Sequence, residues 1–385
     1  MTGAVDILDA RDVGAVAAAS LRTGAPNRGD QVGLGSRTTG EVAAVLGRGA
    51  NGTGVRRGPS VAVPGRIALP GDRWSNRNHN ERAPRGSPME LGVIGLGRMG
   101  QIVVERVLAD GHEVVAFDID EAAREAAAEA GADTVESIAA VSQALSETRH
   151  VWLMVPAGDT VDAALEELAP HLDSADVVID GGNSHFRDSV RRAEDLDARY
   201  LDCGTSGGPA GADLGFSLMI GGPAGAYAEL EPVFDAVATG PDGHERMGPA
   251  GAGHYVKMVH NGIEYALMQA YGEGFELLAE GRYDLDLEAI ARTWTNGAVV
   301  RSWLLELAEE AFREEGGDLG DVADHVAGGS TGTWTVQEAL EQAVPLPLIY
   351  QALAERFDSR AGPRLSRRLA NRLRYGFGRH EVARQ

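Results

Sequence analysis

The stretch MELGVIGLGRMGQ, residues 89–101, places three spaced glycines directly after a short apolar run. Leu91–Ile94 is apolar and partly β-branched, which predicts a strand. Gly95 permits the tight turn, Gly97 lets the backbone approach a pyrophosphate, and Gly100 lets a helix pack on the strand. Free N–H groups at the amino end of that helix can bind phosphate. Because the G-x-G-x-x-G motif lies between a strand and a helix, it predicts a Rossmann-type dinucleotide-binding domain.

The next strand carries a carboxylate that bears on cofactor choice. An amphipathic helix, IVVERVLADG, is closed by Gly111, and HEVVAFDID predicts a strand ending at Asp118, 23 residues after Gly95. A carboxylate here accepts hydrogen bonds from the ribose 2′-hydroxyl of NAD and repels the 2′-phosphate of NADP. Residues 119–121 include no arginine, and Arg124 lies one turn into the next helix, so the sequence favours NAD. The predicted cofactor residues here are Gly95, Leu96, Gly97, Arg98, Met99, Gly100 and Asp118.

Strands and helices continue to alternate after this unit. Three apolar runs predict strands, RHVWLMVP, DVVID and RYLDCGT, and DTVDAALEELAPHL predicts a helix between the first two. In such sheets, ligands bind beyond the carboxyl ends of the strands. The small-residue turns after these strands therefore predict one shared crevice, although each could also be an ordinary turn. The residues of these turns are Val155, Pro156, Ala157, Gly182, Asn183, Ser206, Gly207 and Gly208.

The composition excludes several classes of protein. The 385 residues suffice for two domains, and no apolar run reaches the length of a membrane span. A net charge of −22 argues against nucleic-acid binding through a broad basic surface. The single cysteine, Cys203, cannot form an internal disulfide and is typical of a reducing cytoplasm. The 57 acidic residues indicate a halophilic, high-salt cytoplasm, because GC-rich codons would explain only the excess of arginine over lysine.

Residues 1–88 differ in charge from the rest of the chain. They hold 12 arginines against 7 acidic residues, a net of +5, which leaves −27 for residues 89–385. Their Gly, Pro, Arg and Asn content and weak periodicity are typical of a segment that buries no core. We expect them to be disordered, or to be upstream sequence translated from a wrongly chosen start codon. A basic tail that binds a partner is the alternative.

The stretch GHYVKMVHNGIEY, residues 253–265, contains Lys257, the only lysine of the chain against 34 arginines. The sequence from residue 251 to about residue 280 predicts one long helix, on which Lys257, Asn261 and Glu264 share a face. Arginine stays protonated in a protein, whereas a desolvated lysine can lose its proton and act as a general base. Beside a nicotinamide, that base would take the proton of an alcohol whose carbon gives up hydride, and Glu264 would donate a proton later. The alternative is a solvated stripe with an intrahelical ion pair, such as His260 with Glu264.

These motifs together resemble 6-phosphogluconate dehydrogenase (decarboxylating), in the short NAD-preferring branch of that family and of a haloarchaeal type. The resemblance covers roughly residues 89–385. GLGRMG and MVPAG resemble its cofactor loops, and GGNS and SGG, which begin at Gly181 and Ser206, resemble its substrate and nicotinamide loops. GAGHYVKMVHNGIEY is similar to its most diagnostic stretch. The wider β-hydroxyacid dehydrogenases share the glycines and the lysine but usually not HNGIEY.

The resemblance implies oxidative decarboxylation of 6-phosphogluconate to ribulose 5-phosphate and CO₂ with reduction of NAD, in the pentose phosphate pathway and in gluconate utilization. Lys257 would take the C3 hydroxyl proton as hydride leaves C3, and would then support the enolate oxygen as CO₂ leaves. Glu264 would protonate C1 of the enediol. No metal is implied, because a β-keto group is already an electron sink. The implied sugar-acid contacts are Asn183, Ser206, Gly207, Gly208, His260 and Asn261.

At the phosphate end, the resemblance implies contacts from Tyr265 and Arg356, and from Arg374 and His380 in a C-terminal tail. In the family this tail reaches the neighbouring subunit's site, which implies a homodimer or a tetramer built from dimers. Thr333 stands where many relatives place a phosphate-binding lysine. Because its hydroxyl adds no charge, we expect phosphate binding to be weaker by about 1–3 kcal/mol.

The sequence after the long helix predicts further helices to the end of the chain, the last of them LSRRLANRLR at residues 365–374. We therefore expect an α/β Rossmann-type domain over residues 89–250, followed by an all-α domain for substrate binding and dimerisation over residues 251–385. One alternative is a non-decarboxylating β-hydroxyacid dehydrogenase, which would not need Glu264 or the distant pair Arg374 and His380. Another is a catalytically inactive, cofactor-binding regulator, which only Thr333 supports.

Overall fold

The computed structural model describes residues 87–240, 242–362, 365, 368 and 369, all of which belong to the same structural unit. Three expectations fall almost wholly outside these residues. They concern the leader over residues 1–88, the last predicted helix over residues 365–374, and the tail residues Arg374 and His380.

Within the described residues, eight strands form one sheet. The strands are Glu90–Ile94 (β1), Glu113–Phe117 (β2), Asp133–Thr134 (β3), His150–Leu153 (β4), Val177–Asp180 (β5), Arg199–Ser206 (β6), Ser217–Gly221 (β7) and His244–Gly248 (β8). Their order in the sheet is β3-β2-β1-β4-β5-β6-β7-β8, and all neighbouring strands are parallel except β6 and β7. The strand order reverses at β1, so a crevice opens beyond the carboxyl ends of β1 and β4.

Helices cover both faces of this sheet. The helices are Arg98–Ala109 (α1), Glu121–Ala130 (α2), Ile138–Ala144 (α3), Asp159–Leu168 (α4), Phe186–Asp195 (α5), Gly211–Leu214 (α6) and Ala224–Val237 (α7). Alternate residues of a strand point to opposite faces, and β1 is apolar on both. Leu91 and Val93 pack with residues of α1 and α7 in one buried cluster, whereas Ile94 packs with residues of α3 and α4 in a second. Strands buried on both faces are typical of parallel α/β sheets.

A second group of helices follows the sheet. Their bounds are Ala252–Ala279 (α8), Leu287–Thr295 (α9), Trp303–Glu315 (α10), Ser330–Glu341 (α11) and Pro347–Asp358 (α12). The predicted order, a Rossmann-type sheet followed by helices, is confirmed. Strands β3, β7 and β8 were not predicted. β3 has two exposed residues, and β8 is an edge strand in which buried and exposed positions alternate.

The first turns of α8 lie directly on the sheet, because glycines allow the two backbones to approach. A Cβ atom on Gly204 of β6 would lie 2.4 Å from Cβ of Lys257, and one on Gly253 would lie 2.3 Å from the carbonyl oxygen of Met219 in β7. Further along α8, a Cβ atom on Gly332 of α11 would lie 2.4 Å from the ring of Tyr265. These contacts place Lys257 near the carboxyl end of β6 and the amino end of α11 beside Tyr265.

The structure also shows the state of the single cysteine and the character of the helices. Cys203 is a free, buried cysteine in β6, and burial raises the pKa of its thiol. Among the described residues, no helix combines the length and the hydrophobicity that crossing a bilayer requires.

Candidate active site

The glycine-rich turn between β1 and α1 has the geometry that its three glycines predict. Gly95 has a φ of +95°. A Cβ atom on Gly100 would lie 1.9 Å from the carbonyl oxygen of Gly95, so only glycine lets α1 pack on the turn. Gly97 is open, with no atom within 4 Å of an added Cβ. The turn is therefore closed on its protein side and accessible on its outer side.

The amino end of α1 fits a pyrophosphate. Gly97 is its N-cap and supplies no side-chain hydrogen bond, so N–H groups of the first turn remain for an anion. Arg98 is exposed beside them. The side chains of Leu96 and Met99 point away from the proposed pyrophosphate site: Leu96 is buried in the core and Met99 packs against it. They therefore hold the turn against the core of the domain.

Asp118 lies at the end of β2 and braces the same turn. One carboxylate oxygen accepts the N–H of Leu96 at 2.6 Å and the other accepts the N–H of Asp120 at 2.9 Å. The remaining lone pairs can accept ribose hydroxyls. Arg124 is the arginine that the sequence analysis considered as a possible partner for a 2′-phosphate. It instead donates to the carbonyl of Asp118 at 2.8 Å and pairs with Glu136 at 3.6 Å. This geometry favours NAD, as predicted.

The turns after β4, β5 and β6 adjoin one another. A Cβ atom on Gly182 would lie 2.6 Å from the carbonyl oxygen of Val155. Asn183 has a φ of +52°, and its Oδ1 accepts the N–H of Thr205 at 3.1 Å. The structure therefore brings together the turn residues that the sequence singled out. These are Val155, Pro156, Ala157, Gly182, Asn183, Ser206, Gly207 and Gly208.

A buried arginine that the sequence analysis did not single out fixes two of these turns. Arg192 of α5 is 2% exposed. It donates to Asp180 Oδ2 at 3.1 Å and to Ser184 Oγ at 2.9 Å, both beside the turn after β5. It also donates to the carbonyl of Gly158, after β4, at 3.0 Å and to Asp162 at 2.8 Å. Arg192 thus ties the turns after β4 and β5 to each other.

A second buried charge, also not predicted, positions the amino end of α8. Asp202 of β6 is fully buried, and its carboxylate accepts the N–H of Gly251 at 2.6 Å and that of His254 at 2.7 Å. Gly251, the N-cap of α8, has no side chain that could do this. A carboxylate at a helix amino end also complements the helix dipole. Asp202 therefore links β6 to the helix that carries Lys257.

Lys257 is buried where α8 leaves the sheet. It is 6% exposed. Burial lowers the pKa of its amine from 10.5 to about 8, and the carboxylate of Glu264 acts in the opposite direction. A substantial fraction of the amine is therefore neutral near pH 8, as general-base chemistry requires. The sequence argument from the rarity of lysine anticipated this environment.

His260 lies at the centre of the polar face of α8. Its Nδ1 is 3.4 Å from Lys257 Nζ, 3.0 Å from Asn261 Oδ1 and 3.8 Å from Glu264 Oε2. Its Nε2 is 3.2 Å from Ser206 Oγ. Because an amide oxygen only accepts, Asn261 favours the imidazole tautomer protonated on Nδ1, which leaves Nε2 to accept from the serine hydroxyl. This face of α8 thus meets the turn after β6.

The far end of the face meets α11 and α12. The hydroxyl of Thr331, which the sequence analysis missed, accepts from Asn261 Nδ2 at 3.3 Å and lies 3.4 Å from the hydroxyl of Tyr265. The guanidinium of Arg356 stacks 3.8 Å from the centre of the Tyr265 ring. Thr333 donates its hydroxyl to the carbonyl of Gly329 at 2.8 Å, within its own helix. Tyr265 and Arg356 are therefore together, whereas the Thr333 hydroxyl is already engaged.

Arg374 and His380 lie outside the described residues, so their predicted contacts stay predictions. Within the described residues, no group of three or more His, Cys, Asp or Glu side chains could hold a metal ion. Of the remaining predicted residues, Leu96 lies in the core, and the others lie in the turns after the strands, at the amino end of α1, along α8 and on α12. A dinucleotide-binding turn together with a buried lysine of lowered pKa is typical of an NAD-dependent dehydrogenase.

Comparison with known proteins shows to which family of dehydrogenases the chain belongs. Residues 90–251 match the NAD binding domain of 6-phosphogluconate dehydrogenase, and residues 253–378 match its C-terminal domain. A Haloferax volcanii protein named 6-phosphogluconate dehydrogenase, NAD(+)-dependent, decarboxylating, is 76% identical over 297 residues, which are 77% of this chain and 99% of that protein. A putative 6-phosphogluconate dehydrogenase of Bacillus subtilis is 38% identical over 76% of this chain and 98% of its own length. The chain belongs to the 6-phosphogluconate dehydrogenase family.

Solved structures agree with this assignment. The 6-phosphogluconate dehydrogenase of Plasmodium falciparum superposes with a TM-score of 0.66 at 28% identity, over 77% of this chain and 66% of that one. A 3-hydroxyisobutyrate dehydrogenase of Mycobacterium tuberculosis superposes with a TM-score of 0.57 at 21% identity, over 70% of this chain and 92% of that one. The second likeness concerns the fold alone.

Proposed function

We propose that this chain converts 6-phosphogluconate to ribulose 5-phosphate and CO₂ and reduces NAD. The observation that carries the proposal is the buried Lys257 on one helix face with His260, Asn261 and Glu264, beside the turn that holds Ser206. The 76% identity to the NAD-dependent, decarboxylating Haloferax protein supports the same reaction.

Lys257 is the proposed general base. Its neutral amine takes the proton of the C3 hydroxyl while C3 loses a hydride, which leaves a 3-keto acid and an ammonium ion. The keto group lies β to the carboxylate, so the C1–C2 bond can break with its electron pair delocalised onto the C3 oxygen. The Lys257 ammonium stabilises the negative charge that develops on this oxygen. Its burial strengthens that interaction, because few water molecules screen it.

Glu264 is the proposed acid for the last step. It protonates the enediol carbon that becomes C1 of ribulose 5-phosphate, while Lys257 holds the proton taken from the hydroxyl. After one turnover the amine therefore carries one extra proton and the carboxylate lacks one. A proton transfer between them restores the starting state without any net exchange with water. The His260 imidazole lies between the two groups, with Nδ1 3.4 Å from Lys257 Nζ and 3.8 Å from Glu264 Oε2.

The cofactor turn fits NAD on three observations: the open face of Gly97, the uncapped amino end of α1 and the carboxylate of Asp118. NAD, when bound, supplies the acceptor for the hydride that leaves C3. The N–H groups of α1 would hold its pyrophosphate, and Asp118 would hold its ribose. The proposed contacts nearer the nicotinamide are Val155, Pro156, Ala157 and Asn183.

The sugar acid would lie along α8. Asn183, Ser206, Gly207, Gly208, His260 and Asn261 are the proposed contacts to its hydroxyls and carboxylate. Tyr265 and Arg356 would bind the phosphate, with Arg374 and His380 contributed by the tail of a neighbouring subunit. These assignments rest on the family resemblance and on the row of polar groups that leads from Lys257 to Arg356.

We also propose a homodimer, or a tetramer of dimers, formed through the helices that follow the sheet. Exposed apolar side chains at four-residue spacing support this: Ile263 and Leu267 on α8 are 50% and 42% exposed, and Trp303 and Leu307 on α10 are 44% and 41% exposed. Such faces are typical of subunit interfaces. The domain boundary near residue 250 remains part of the proposal.

The proposed setting is a halophilic cytoplasm, where the enzyme would serve the pentose phosphate pathway and gluconate utilization. The net charge of −22 and the Haloferax relative support the first point. The single thiol, buried and unpaired, fits a reducing compartment.

The test is an initial-rate assay of the full-length chain with 6-phosphogluconate in molar KCl. NAD and NADP are compared, and reduced cofactor and CO₂ are measured together. We expect one CO₂ per reduced NAD and poor activity with NADP. Lys257→Arg is the matched control, because it keeps the positive charge but cannot act as a base near neutral pH.

Reduced cofactor without CO₂ would indicate a non-decarboxylating β-hydroxyacid dehydrogenase instead. No turnover with either cofactor, by a protein that still binds NAD, would indicate a non-catalytic regulator. Equal activity of wild type and Lys257→Arg would remove the lysine from the mechanism.

A further inference from the structure

Two arginines converge on the short segment before α11, which we call the α11 loop (residues 326–329). Arg360 donates through Nε to the carbonyl of Val326 at 2.6 Å and through Nη2 to the carbonyl of Gly328. Arg356, one turn earlier, donates through Nη1 to the carbonyl of Ala327 at 3.3 Å. Both guanidinium groups therefore lie against the same four residues.

The α11 loop leaves space for these guanidinium groups, because it ends in two glycines. A Cβ atom on Gly328 would lie 3.8 Å from Arg356 Nη1, and one on Gly329 would lie 3.6 Å from Arg360 Nη2. Gly328 and Gly329 have φ values of +80° and +120°, which larger residues rarely adopt. The loop thus presents backbone, not side chains, to the two cations.

No carboxylate in the described part of the chain balances the charge of the two arginines. Neither Arg356 nor Arg360 forms an ion pair with a carboxylate of the described residues, and each instead donates to backbone carbonyl oxygens and lies against an aromatic ring. Arg360 uses two of its five N–H groups in these contacts, which leaves three. Arg356 is half-buried and Arg360 is exposed, and two such cations without carboxylate partners among these residues can bind an anion.

The amino end of α11 adds donors at the same place. Its N-cap, Gly329, provides no side-chain cap, and the first backbone bond of the helix is from Thr333 N–H to the Gly329 carbonyl at 2.9 Å. The N–H groups of the three residues between them therefore have no partner among the described residues, and the helix dipole favours an anion there. This amino end adjoins Tyr265 through Thr331.

Lys257 is the only lysine, and the proposed mechanism uses it at C3. Cations for a phosphate must therefore come from arginine or histidine in this chain. Lys257, Asn261 and Tyr265 follow one another at four-residue spacing, a row about 12 Å long that leads from the base to Arg356. An extended sugar acid bound at Lys257 would direct its other end toward the α11 loop.

We infer that Arg360 binds the phosphate of the substrate, together with Arg356 and the amino end of α11, and so sets the preference for a phosphorylated sugar acid. This inference rests on the proposed function. Arg360 would supply the positive charge that Thr333, whose hydroxyl is bonded within α11, does not.

The test compares Arg360→Ala and Arg360→Lys with the wild-type enzyme. We expect Arg360→Ala to raise KM for 6-phosphogluconate by about 10- to 100-fold, the range for losing a hydrogen bond to a charged group, with kcat and KM for NAD nearly unchanged. Inorganic phosphate, used as a competitive inhibitor, should bind more weakly by a similar factor. Arg360→Lys should fall in between, because a lysine keeps the charge but not the fork of donors. Arg292→Ala, at an exposed arginine of α9 that pairs with Glu288, is the matched control.

A bracing role for Arg360 would give a different result, and gluconate distinguishes the two. Because gluconate lacks the phosphate, kcat/KM for gluconate should be unchanged in Arg360→Ala. A parallel loss with both substrates, or an unchanged inhibition constant for phosphate, would overturn the inference. Measurements at several KCl concentrations check that salt does not mask the effect. If Arg360→Ala does not fold, Arg360→Lys and Arg360→Gln decide the matter by the same criteria. Failure of the wild type to use 6-phosphogluconate would instead overturn the proposed function.

Discussion

Replacing Lys257 with methionine is expected to stabilise the folded protein while removing its activity. Lys257 is 6% exposed, and burial lowers the pKa of its amine from 10.5 to about 8. A difference of this size corresponds to about 3 kcal/mol, because one pK unit is about 1.36 kcal/mol. Methionine keeps the length and the apolar stem of the side chain but carries no charge. The substitution should therefore remove the energetic penalty of burying an ammonium ion.

The stabilisation should depend on pH in a defined direction. Below about pH 8 the amine is protonated in both the folded and the unfolded wild-type chain, so the full penalty applies. Between about pH 8 and 10.5 the unfolded chain binds more protons than the folded chain, so wild-type stability rises with pH. The advantage of Lys257→Met should fall from about 3 kcal/mol at pH 7 to about 1.4 kcal/mol at pH 9.5.

Urea denaturation of both proteins between pH 7 and 9.5, at constant KCl, measures this difference. Because Lys257 is the only lysine, lysine-selective ¹³C labelling gives one Cε signal, whose titration reports the pKa directly. Lys257→Arg is the control: arginine stays charged throughout this range, so its stability relative to Lys257→Met should not change with pH.

Two results would refute this reasoning. One is a Cε titration near 10.5, which would mean that the amine is solvated. The other is a stability gain that is constant with pH, which would mean that packing, and not ionisation, causes it. The catalytic half of the prediction is a fall in kcat of about 10²- to 10⁴-fold, the usual contribution of a general base. Retained activity in Lys257→Met would exclude the lysine from that role.

Three further predictions concern other charged residues of the site and of the turns that support it. Glu264→Gln removes the carboxylate that raises the pKa of Lys257, so the acidic limb of the plot of kcat/KM against pH should move below pH 8. The loss of the acid should also lower kcat by about 10²- to 10⁴-fold. An acidic limb that stays in place would show that the two groups do not interact. Asp118→Ala should raise KM for NAD by about tenfold or more and improve activity with NADP, as measured by kcat/KM with each cofactor; an unchanged ratio would separate Asp118 from cofactor choice. Arg192→Met leaves Asp180 and Asp162 without their buried cation and should lower the free energy of unfolding by about 3–5 kcal/mol, measured by urea denaturation. Adding Asp180→Asn should restore part of that loss, whereas strict additivity would argue against a coupled network.

The first βαβ unit could be predicted from sequence because its constraints are local. Gly100 cannot be larger, since its Cβ atom would lie 1.9 Å from the carbonyl of Gly95, five residues away. The pattern of glycines therefore reports the turn directly. The direction of β7 could not be predicted in this way. Its antiparallel pairing with β6 depends on contacts such as Cys203 with Ile220, which no local pattern specifies.

The same distinction applies to the site. Lys257, Asn261 and Glu264 could be placed on one face because a helix repeats every 3.6 residues. Thr331, which contacts Asn261 from 70 residues away, had no such marker. Asp202 was equally hidden, because a carboxylate inside a strand shows no sequence sign of capping a helix 49 residues later. Periodicity identifies residues within an element, whereas the partners of those residues come from tertiary packing.

The single lysine of the chain marks a position where a cation must be able to lose its proton, because burial can make lysine neutral but leaves arginine charged. The burial that lowers the pKa of Lys257 to about 8 leaves about half of the amine neutral at pH 8. An arginine keeps its proton in a protein even where it is buried, so it would offer no neutral base here. A chain that uses 34 arginines elsewhere could therefore not use one here. At the proposed phosphate end the requirement is reversed, because a permanent charge with several donors suits an anion, and there we propose Arg356 and Arg360.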